Sequence, residues 1–321
     1  MANTRGIRTH MKSVSNIQKI TNAMQMVAAA RLQKAKTKAI SSKPYADRIK
    51  RMMLQAVSDK TMLAGLDLTK NPLLEERTVY KTCYIVIGSD KGLAGPYNAN
   101  LIKHVNVELL GKKNFTFITV GRQIKNYFRK SGYEIKAAYT GFSDKPSYEA
   151  ADEITNVAEK LFTSGAVDEV IVIYTHFKSA LVLTPMAQRL LPVKPEAEST
   201  LQADKKKPDV MDFSLGNKFD FAPDTPETSG DDEDNFTDII FEPPAGEMLK
   251  YLAHYYIRTL VYMALMQGAA CELSARMTAM SSATDNANSL LNKLSVHYNK
   301  ARQANITNEI NEIVSGAEAL Q

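Results

Sequence analysis

Three glycines and a lysine near the first third of the chain are the residues closest in type to a phosphate-binding loop. Gly88, Gly92 and Gly95 follow an apolar run, and Lys91 lies between the first two glycines. A dinucleotide-binding loop needs the spacing GxGxxG, and the lysine of a P-loop directly follows its second conserved glycine and precedes Ser or Thr. Neither spacing occurs here, because Lys91 precedes Gly92. We therefore expect no nucleotide site in this loop.

The other side chains that could bind a metal or act as nucleophiles are dispersed along the chain. No G-x-S-x-G nucleophile elbow occurs in the sequence. The two cysteines, Cys83 and Cys271, are far apart and indicate unpaired thiols in a reducing, cytoplasm-like compartment. The histidines lack the short spacing of zinc ligands, and they are His10, His104, His176, His254 and His297. We expect no catalytic residue, no metal and no cofactor.

Charge is distributed unevenly along the sequence. Residues 1–51 contain twelve Lys or Arg and one acidic residue, whereas residues 195–236 contain twelve acidic residues and four lysines. A basic segment favours an acidic partner, which could be a nucleic acid, a membrane surface or acidic loops of another protein. The acidic segment is poor in aliphatic residues, so we expect it to be an exposed insertion.

The N-terminal segment predicts a helix that forms part of a helix pair. From Ile7 to Lys43 there is neither Pro nor Gly, and Pro44 supplies the first break. Apolar and small residues recur at steps of three and four, which places them on one face of a helix. This stripe comprises Ile7, Met11, Val14, Ile17, Thr21, Met24 and Ala28.

The C-terminal segment shows the same pattern with stricter spacing. Steps of four and three residues alternate along the stripe, as in a left-handed coiled coil. The stripe comprises Leu273, Met277, Met280, Thr284, Ala287, Leu291, Leu294, Tyr298 and Ala301. A helix over residues 246–319 would be roughly 100 Å long. Each helix alone would expose an apolar stripe to water, so we expect the two terminal helices to pair with each other.

The middle of the chain alternates between strand-like and helix-like segments, which predicts a mainly parallel sheet with crossover helices. We expect strands at 82–88, 115–120, 134–139, 168–174, 180–185, 188–192 and 236–241, and helices at 98–110, 122–130 and 148–162. The predicted fold is therefore α/β. An antiparallel coiled coil of the N- and C-terminal helices, residues 1–60 and 244–321, joins a Rossmann-like domain of residues 61–243 that carries the acidic insertion.

Four separated segments resemble the signatures of a known family. Residues 17–29 (IQKITNAMQMVAA) resemble the N-terminal signature of the F-type ATP synthase gamma subunit, and residues 89–95 (SDKGLAG) resemble the loop of its central domain. Residues 275–287 and 298–307 (YNKARQANIT) resemble its C-terminal signature. The segments occur in the family's order and on the predicted helices and sheet.

The resemblance implies a central rotor shaft that couples proton flow through a membrane sector to ATP synthesis or hydrolysis, without catalysing a reaction itself. Its implied partners are the hexameric ring of alpha and beta subunits, the epsilon subunit and the c-ring of the membrane sector, with no nucleic acid and no small-molecule substrate. Because the resemblance begins near residue 1, it favours a peripheral protein on the cytoplasmic face of a bacterial inner membrane.

The resemblance also suggests which residues contact these partners. The implied partner interface comprises Met24, Arg276, Asp285, Asn286, Arg302, Gln303 and Thr307. An apolar bearing tip is formed by Ile306, Ile310 and Ile313. The basic run 34–51 would face acidic loops of the beta subunit. The alternative for the polar residues is an ordinary solvated helix face, and the alternative for Met24 and the isoleucines is coiled-coil packing.

Two other functions remain open from the residues alone. A nucleotide-binding α/β enzyme with coiled-coil extensions would need a polar pocket near residues 89–98, at the strand ends. A basic coiled coil that binds nucleic acid would bind DNA with a steep salt dependence.

Overall fold

The computed structural model describes residues 4–58, 72–142, 146–180, 182–193 and 245–318. They form two compact units. The helix-pair unit comprises residues 4–33, 93–95 and 273–318, and the sheet unit comprises the described residues of 34–92 and 96–272. Helix α1 (Thr4–Ser58) and the last helix each contribute residues to both units. The predicted insertion at 195–236 and strand at 236–241 lie outside the described residues.

The sheet unit contains five strands in the order β3-β2-β1-β4-β5. Neighbouring strands among β1 to β4 are parallel, and β5 is antiparallel to β4. The bounds are β1 Thr82–Ile87, β2 Phe115–Val120, β3 Ile135–Tyr139, β4 Glu169–Phe177 and β5 Leu183–Leu191. The remaining helices are α2 Tyr97–Glu108, α3 Arg122–Lys130, α4 Tyr148–Thr163 and α5 Ala245–Glu318. The predicted Rossmann-like, mainly parallel sheet is confirmed.

Both faces of the sheet are covered, which explains why its central strands are apolar throughout. Every residue of β1 is buried. Cys83, Ile85 and Ile87 point to the core that includes residues of α1, α4 and α5. Tyr84 and Val86 point to the core that includes residues of α2 and α3. Alternate side chains of a strand face opposite sides of a sheet, so one apolar run serves two cores.

The sheet unit shows that α1 and α5 run antiparallel. The Lys38 ammonium of α1 lies 5.8 Å from the ring centroid of Tyr262. Further along α1, Tyr45 lies close enough to Tyr255 and Arg258 for their charges to affect the pKa of its hydroxyl. Both of these residues precede Tyr262 in α5. As the residue number rises along α1, it falls along the facing part of α5, as the sequence predicts.

The helix-pair unit confirms the C-terminal stripe. All nine of its members are buried or half-buried, and Thr284 and Ala301 are among the buried ones. In α1 the buried positions Val14, Thr21 and Ala28 recur every seven residues. The hydroxyl oxygens of Thr21 and Thr284 lie 2.8 Å apart, so the two helices meet at a buried polar pair.

The predicted stripe of α1 was wrong at one position. Ile17 is 53% exposed, and Gln18 is half-buried instead. The buried heptad positions continue through Gln18 and Gln25, so spacing rather than polarity decides which side chains face the partner helix. Met24, the other predicted member between Thr21 and Ala28, is half-buried, as is its neighbour Gln25.

The predicted break at Pro44 was also wrong, because α1 continues through it to Ser58. Proline removes one helical hydrogen bond and crowds the carbonyl four residues earlier, at Ile40. Both Pro44 and Ile40 are exposed, so that carbonyl lies on the solvent side. The helix continues because Ile49 and Met53 are buried beyond the proline, and their burial opposes its local cost.

The two strands predicted at 180–185 and 188–192 are one strand, β5. Pro185 lies inside it, opposite Thr175 of β4. Proline cannot donate to a neighbouring strand, but β5 lies at the edge of the sheet that the described residues form, where it pairs with β4 on one side. The predicted interruption between residues 185 and 188 was therefore wrong.

Candidate partner interface

The loop that follows β1 is organised around the carboxylate of Asp90. Its Oδ1 accepts a hydrogen bond from the backbone N–H of Arg122 at 3.0 Å, and its Oδ2 accepts one from Gly141 at 2.8 Å. Arg122 is the first residue of α3, so the carboxylate lies at a helix N-terminus, where a bound phosphate would otherwise be favoured. The side chain thus supplies the negative charge itself.

Close packing fills the crevice beside this loop. A Cβ on Gly88 would overlap the side chain of Ile124, at 2.2 Å from its Cγ1. Gly121 has φ +104°, and a Cβ there would lie 2.7 Å from the carbonyl oxygen of Gly88. Gly121 is therefore required for the ends of β1 and β2 to approach one another, and Gly88 allows Ile124 of α3 to pack against the end of β1. This geometry favours a structural role for the loop over the phosphate-binding role that its glycines suggested.

The polar residues of the implied partner interface differ in exposure. Five of them are exposed on α5, namely Asp285, Asn286, Arg302, Gln303 and Thr307. The Thr307 hydroxyl donates to the carbonyl oxygen of Gln303 at 3.0 Å, a bond within the helix. Arg276 is only 7% exposed and contributes little surface to the isolated chain. Spacing and residue type alone did not reveal this burial.

The end of α5 extends beyond α1. Because the helices are antiparallel and Thr21 faces Thr284, the first described residue of α1, Thr4, lies level with about residue 301 of α5. Burial ends at the same place: Ala301 is 6% exposed, whereas residues 302–315 are exposed apart from the half-buried Asn305.

This single-helix end carries the predicted bearing tip. Ile306, Ile310 and Ile313 are 48%, 54% and 71% exposed. Within the described chain nothing covers them, and they lie at helical spacing on the exposed end of α5. An apolar stripe of this kind is typical of a surface that meets a partner.

The basic run of α1 is divided between structural and exposed positions. Lys36 is 8% exposed. The Lys38 ammonium donates to the carbonyl oxygen of Pro146 at 3.0 Å and lies over the ring of Tyr262. Lys34 and Arg51 are exposed. Lys38 contacts the sheet unit but is itself exposed, so among these residues only Lys36 is withdrawn from the surface.

The described residues hold no helix with the length and hydropathy needed to cross a membrane. Among the same residues, no three His, Cys, Asp or Glu side chains are grouped as metal ligands would be.

Comparisons with known proteins identify the family. A family model described as ATP synthase matches residues 3–320. An ATP synthase gamma chain from Heliobacterium modesticaldum is 38% identical over 322 residues, which cover 100% of both chains. The chain belongs to the ATP synthase gamma chain family. Another member, from Cyanothece sp., is 39% identical over 328 residues, again with 100% of both chains covered.

Solved structures confirm the fold of this family member. The chain resembles one in the Euglena gracilis mitochondrial ATP synthase OSCP/F1/c-ring structure, with a TM-score of 0.64 at 15% identity. The match covers 99% of this chain and 94% of the other. A chain of the Tetrahymena thermophila central stalk/c-ring structure matches with a TM-score of 0.56 at 20% identity, over 82% and 99% of the two chains.

Proposed function

We propose that this chain is the central rotor shaft of an F-type ATP synthase, which couples proton flow through the membrane sector to ATP synthesis or hydrolysis in the catalytic head. The observation that carries the proposal is the end-to-end similarity to ATP synthase gamma chains, at 38% identity over 322 residues. That similarity includes both helices whose stripes the structure buries, so it concerns the shaft itself.

The asymmetry of the helix-pair unit supports a mechanical role. An alpha/beta ring has chemically equivalent catalytic sites, and a shaft can favour different states at them only if it presents different surfaces. Here α5 carries exposed polar residues at Asp285 and Asn286 and continues as a single helix past the start of α1. The chain itself contributes no chemistry: its phosphate-loop-like segment is occupied by Asp90 and Ile124.

The partners follow from the same proposal. The shaft, residues 1–60 and 244–321, would contact the alpha and beta subunits through seven residues: Met24, Arg276, Asp285, Asn286, Arg302, Gln303 and Thr307. Ile306, Ile310 and Ile313 would turn inside the ring, because apolar contacts are non-directional and slide without breaking hydrogen bonds. The α/β domain, residues 61–243, would contact the epsilon subunit and the c-ring. The complex would be attached to the cytoplasmic face of a bacterial inner membrane.

Co-expression of the tagged chain with the alpha and beta subunits tests this function. We expect purification of the tag to recover both subunits in a complex that hydrolyses ATP, while the chain alone hydrolyses none. Recovery without alpha or beta would contradict the proposal. Salt-dependent retention of DNA by the chain alone would favour the nucleic-acid alternative instead.

The proposed interface residues need a test of their own. Arg302→Ala with Gln303→Ala should lower coupled ATP synthesis by roughly tenfold if each side chain makes a charged or polar contact with the beta subunit. The matched control is Asn299→Ala with Lys300→Ala, which changes two exposed residues one turn earlier that are outside the proposed interface. Equal loss in both variants would contradict the assignment.

A further inference from the structure

Helix α5 makes polar contacts with the sheet unit in two places, one on α4 and the other on β4. The α4 grip consists of His254 and Arg258. The Arg258 Nη1 donates to Asp152 at 2.6 Å, and its Nε donates to the Tyr148 hydroxyl at 2.9 Å. His254 Nδ1 lies 2.9 Å from Glu159.

The β4 grip lies further along α5 and consists of Gln267 and Cys271. Oε1 of Gln267 lies 2.6 Å from His176 Nδ1 and accepts from the backbone N–H of Phe177 at 3.4 Å. The Cys271 thiol donates to the carbonyl oxygen of Thr175 at 3.3 Å. Three consecutive residues of β4 thus contact a single turn of α5.

The spacing of the two grips has a mechanical meaning. Each residue of an α-helix advances the direction of its side chain by about 100°, so the thirteen residues from 254 to 267 place the grips on sides of α5 about 140° apart. If α5 turned about its own axis, the side chains on these two sides would move in nearly opposite directions. A sideways shift of the helix could relieve strain at one grip but not at both.

Apolar packing does not resist rotation in the same way. The core around α5 includes Ile257, Val261 and Leu265, which oppose rotation through close packing but form no directional bond. Hydrogen bonds weaken steeply as their angle departs from linearity. Directional bonds on two sides of a helix therefore fix its rotational setting.

We propose that the α4 and β4 grips are the torsional anchor through which the α/β domain turns α5. Arg258, His254, Gln267 and Cys271 act as positioning residues: they contact no nucleotide, and they keep the helix from slipping under load. This inference rests on the proposed function, since an anchor of this kind is needed only in a chain that transmits torque.

Angular fluctuations of the assembled complex test the anchor. The alpha/beta complex is immobilised, a bead is attached to a cysteine introduced at the exposed Asn106, and torsional stiffness is measured from the spread of bead angles. We expect the double variant Gln267→Met with Arg258→Met to lower the stiffness by roughly twofold or more, because directional contacts are lost on both sides of α5. In the complete enzyme, the ratio of ATP-driven proton pumping to ATP hydrolysis should fall in parallel.

Two matched variants distinguish the anchor from general destabilisation. Gln267→Glu keeps acceptor oxygens for His176 and Phe177 and should retain nearly the original stiffness. Phe128→Leu removes buried volume from the core on the opposite face, which contains no residue of α5, and should lower thermal stability without lowering stiffness. If the double variant does not fold, Gln267→Met alone provides the comparison with Gln267→Glu.

Unchanged stiffness in Gln267→Met and in the double variant would overturn the inference, as would an equal loss in Phe128→Leu. Either result would leave the proposed function intact, because assembly with alpha and beta is measured first. Failure of the original chain to assemble would overturn both.

Discussion

At the residue scale, the Asp90 carboxylate joins two backbone N–H groups that lie far apart in sequence, those of Arg122 and Gly141. We predict that Asp90→Ala lowers the free energy of unfolding by about 1–2 kcal/mol, because α3 loses its cap and two donors lose their acceptor. Asp90→Asn should cost less, since one acceptor oxygen remains. Urea unfolding of the full chain measures both variants, and an unchanged midpoint in Asp90→Ala would contradict the prediction.

Glu159 provides a prediction about pH. Burial raises the pKa of its carboxyl above the ordinary value, although His254 opposes the shift. A carboxyl whose pKa is higher in the folded state binds more protons when folded, so this group lowers stability as pH rises from its unfolded pKa of about 4.3 past its folded pKa. We predict that Glu159→Gln removes this loss.

The measurement compares the unfolding free energies of the original chain and Glu159→Gln from about pH 2 to pH 7, a range that extends below the ordinary pKa of an Asp carboxyl. The variant should gain stability relative to the original as pH rises through that window. Asp152→Asn is the opposite control: Arg258 holds the pKa of Asp152 below its ordinary value, so Asp152 stabilises at higher pH and loses that effect as pH falls through its folded pKa. The two pKa shifts would be contradicted if the stability of both variants relative to the original chain changed with pH in the same direction.

At the element scale, periodicity predicted most of the fold because each helix and strand buries a face with a regular spacing. The α5 stripe and the strand at β1 were found in this way. Gln18 and Pro44 were not, because their residue types oppose what tertiary packing imposes. The heptad spacing of Val14, Thr21 and Ala28 was the signal that would have placed Gln18 on the buried face.

The candidate interface was less predictable than the fold. The sequence identified polar residues on α5, but their exposure depends on which part of α5 the partner helix covers. Burial of Arg276 and the use of Lys38 inside the sheet unit are both tertiary effects. Neither effect can be predicted from the local spacing of residues. The structure is needed to distinguish charged side chains that are fully exposed from those that contact the rest of the protein.

The buried pair of Thr21 and Thr284 gives a prediction for the helix pair. Thr21→Val alone should lower the free energy of unfolding by about 0.5–1.5 kcal/mol, because the Thr284 hydroxyl loses its partner across the helices and keeps its bond to the carbonyl oxygen of Met280. The double variant Thr21→Val with Thr284→Val should be nearly neutral or stabilising, since two apolar groups of similar shape then meet. A double-mutant cycle measures the coupling.

If the stability losses of Thr21→Val and Thr284→Val simply added in that cycle, the hydrogen-bonded pairing of the two hydroxyls would be contradicted. Thr9→Val is a suitable control, because the Thr9 hydroxyl is exposed and donates within its own helix, to the carbonyl oxygen of Arg5. It should show no coupling to Thr284→Val.

At the scale of the whole molecule, substitutions in the proposed bearing tip should affect function without affecting stability. Replacing Ile306, Ile310 and Ile313 together by Gln should change the free energy of unfolding of the isolated chain by no more than about 0.5 kcal/mol, because these side chains are exposed and Gln favours helices. Coupled ATP synthesis in the assembled enzyme should nevertheless fall, because a polar tip would form hydrogen bonds inside the ring.

The matched control changes neighbouring polar residues that are equally exposed, Asn308→Gln with Asn311→Gln. It should leave both stability and ATP synthesis unchanged. A tip variant that synthesises ATP at the original rate would contradict the role of the isoleucines.

The overhang of α5 beyond α1 sets how far its end can sway. A rod held at one end deflects in proportion to the cube of its free length. Residues 302–318 are free over roughly 25 Å, whereas all of 273–318 would be free over roughly 70 Å without α1 alongside. Under the same side load, the accompanying helix therefore reduces the sway of the end by more than an order of magnitude, by roughly the cube of that ratio of lengths. Helix α1 thus stiffens α5 against bending. A variant shortened at the N-terminus of α1 would show larger lateral motion of the α5 end before it showed unfolding of the protein.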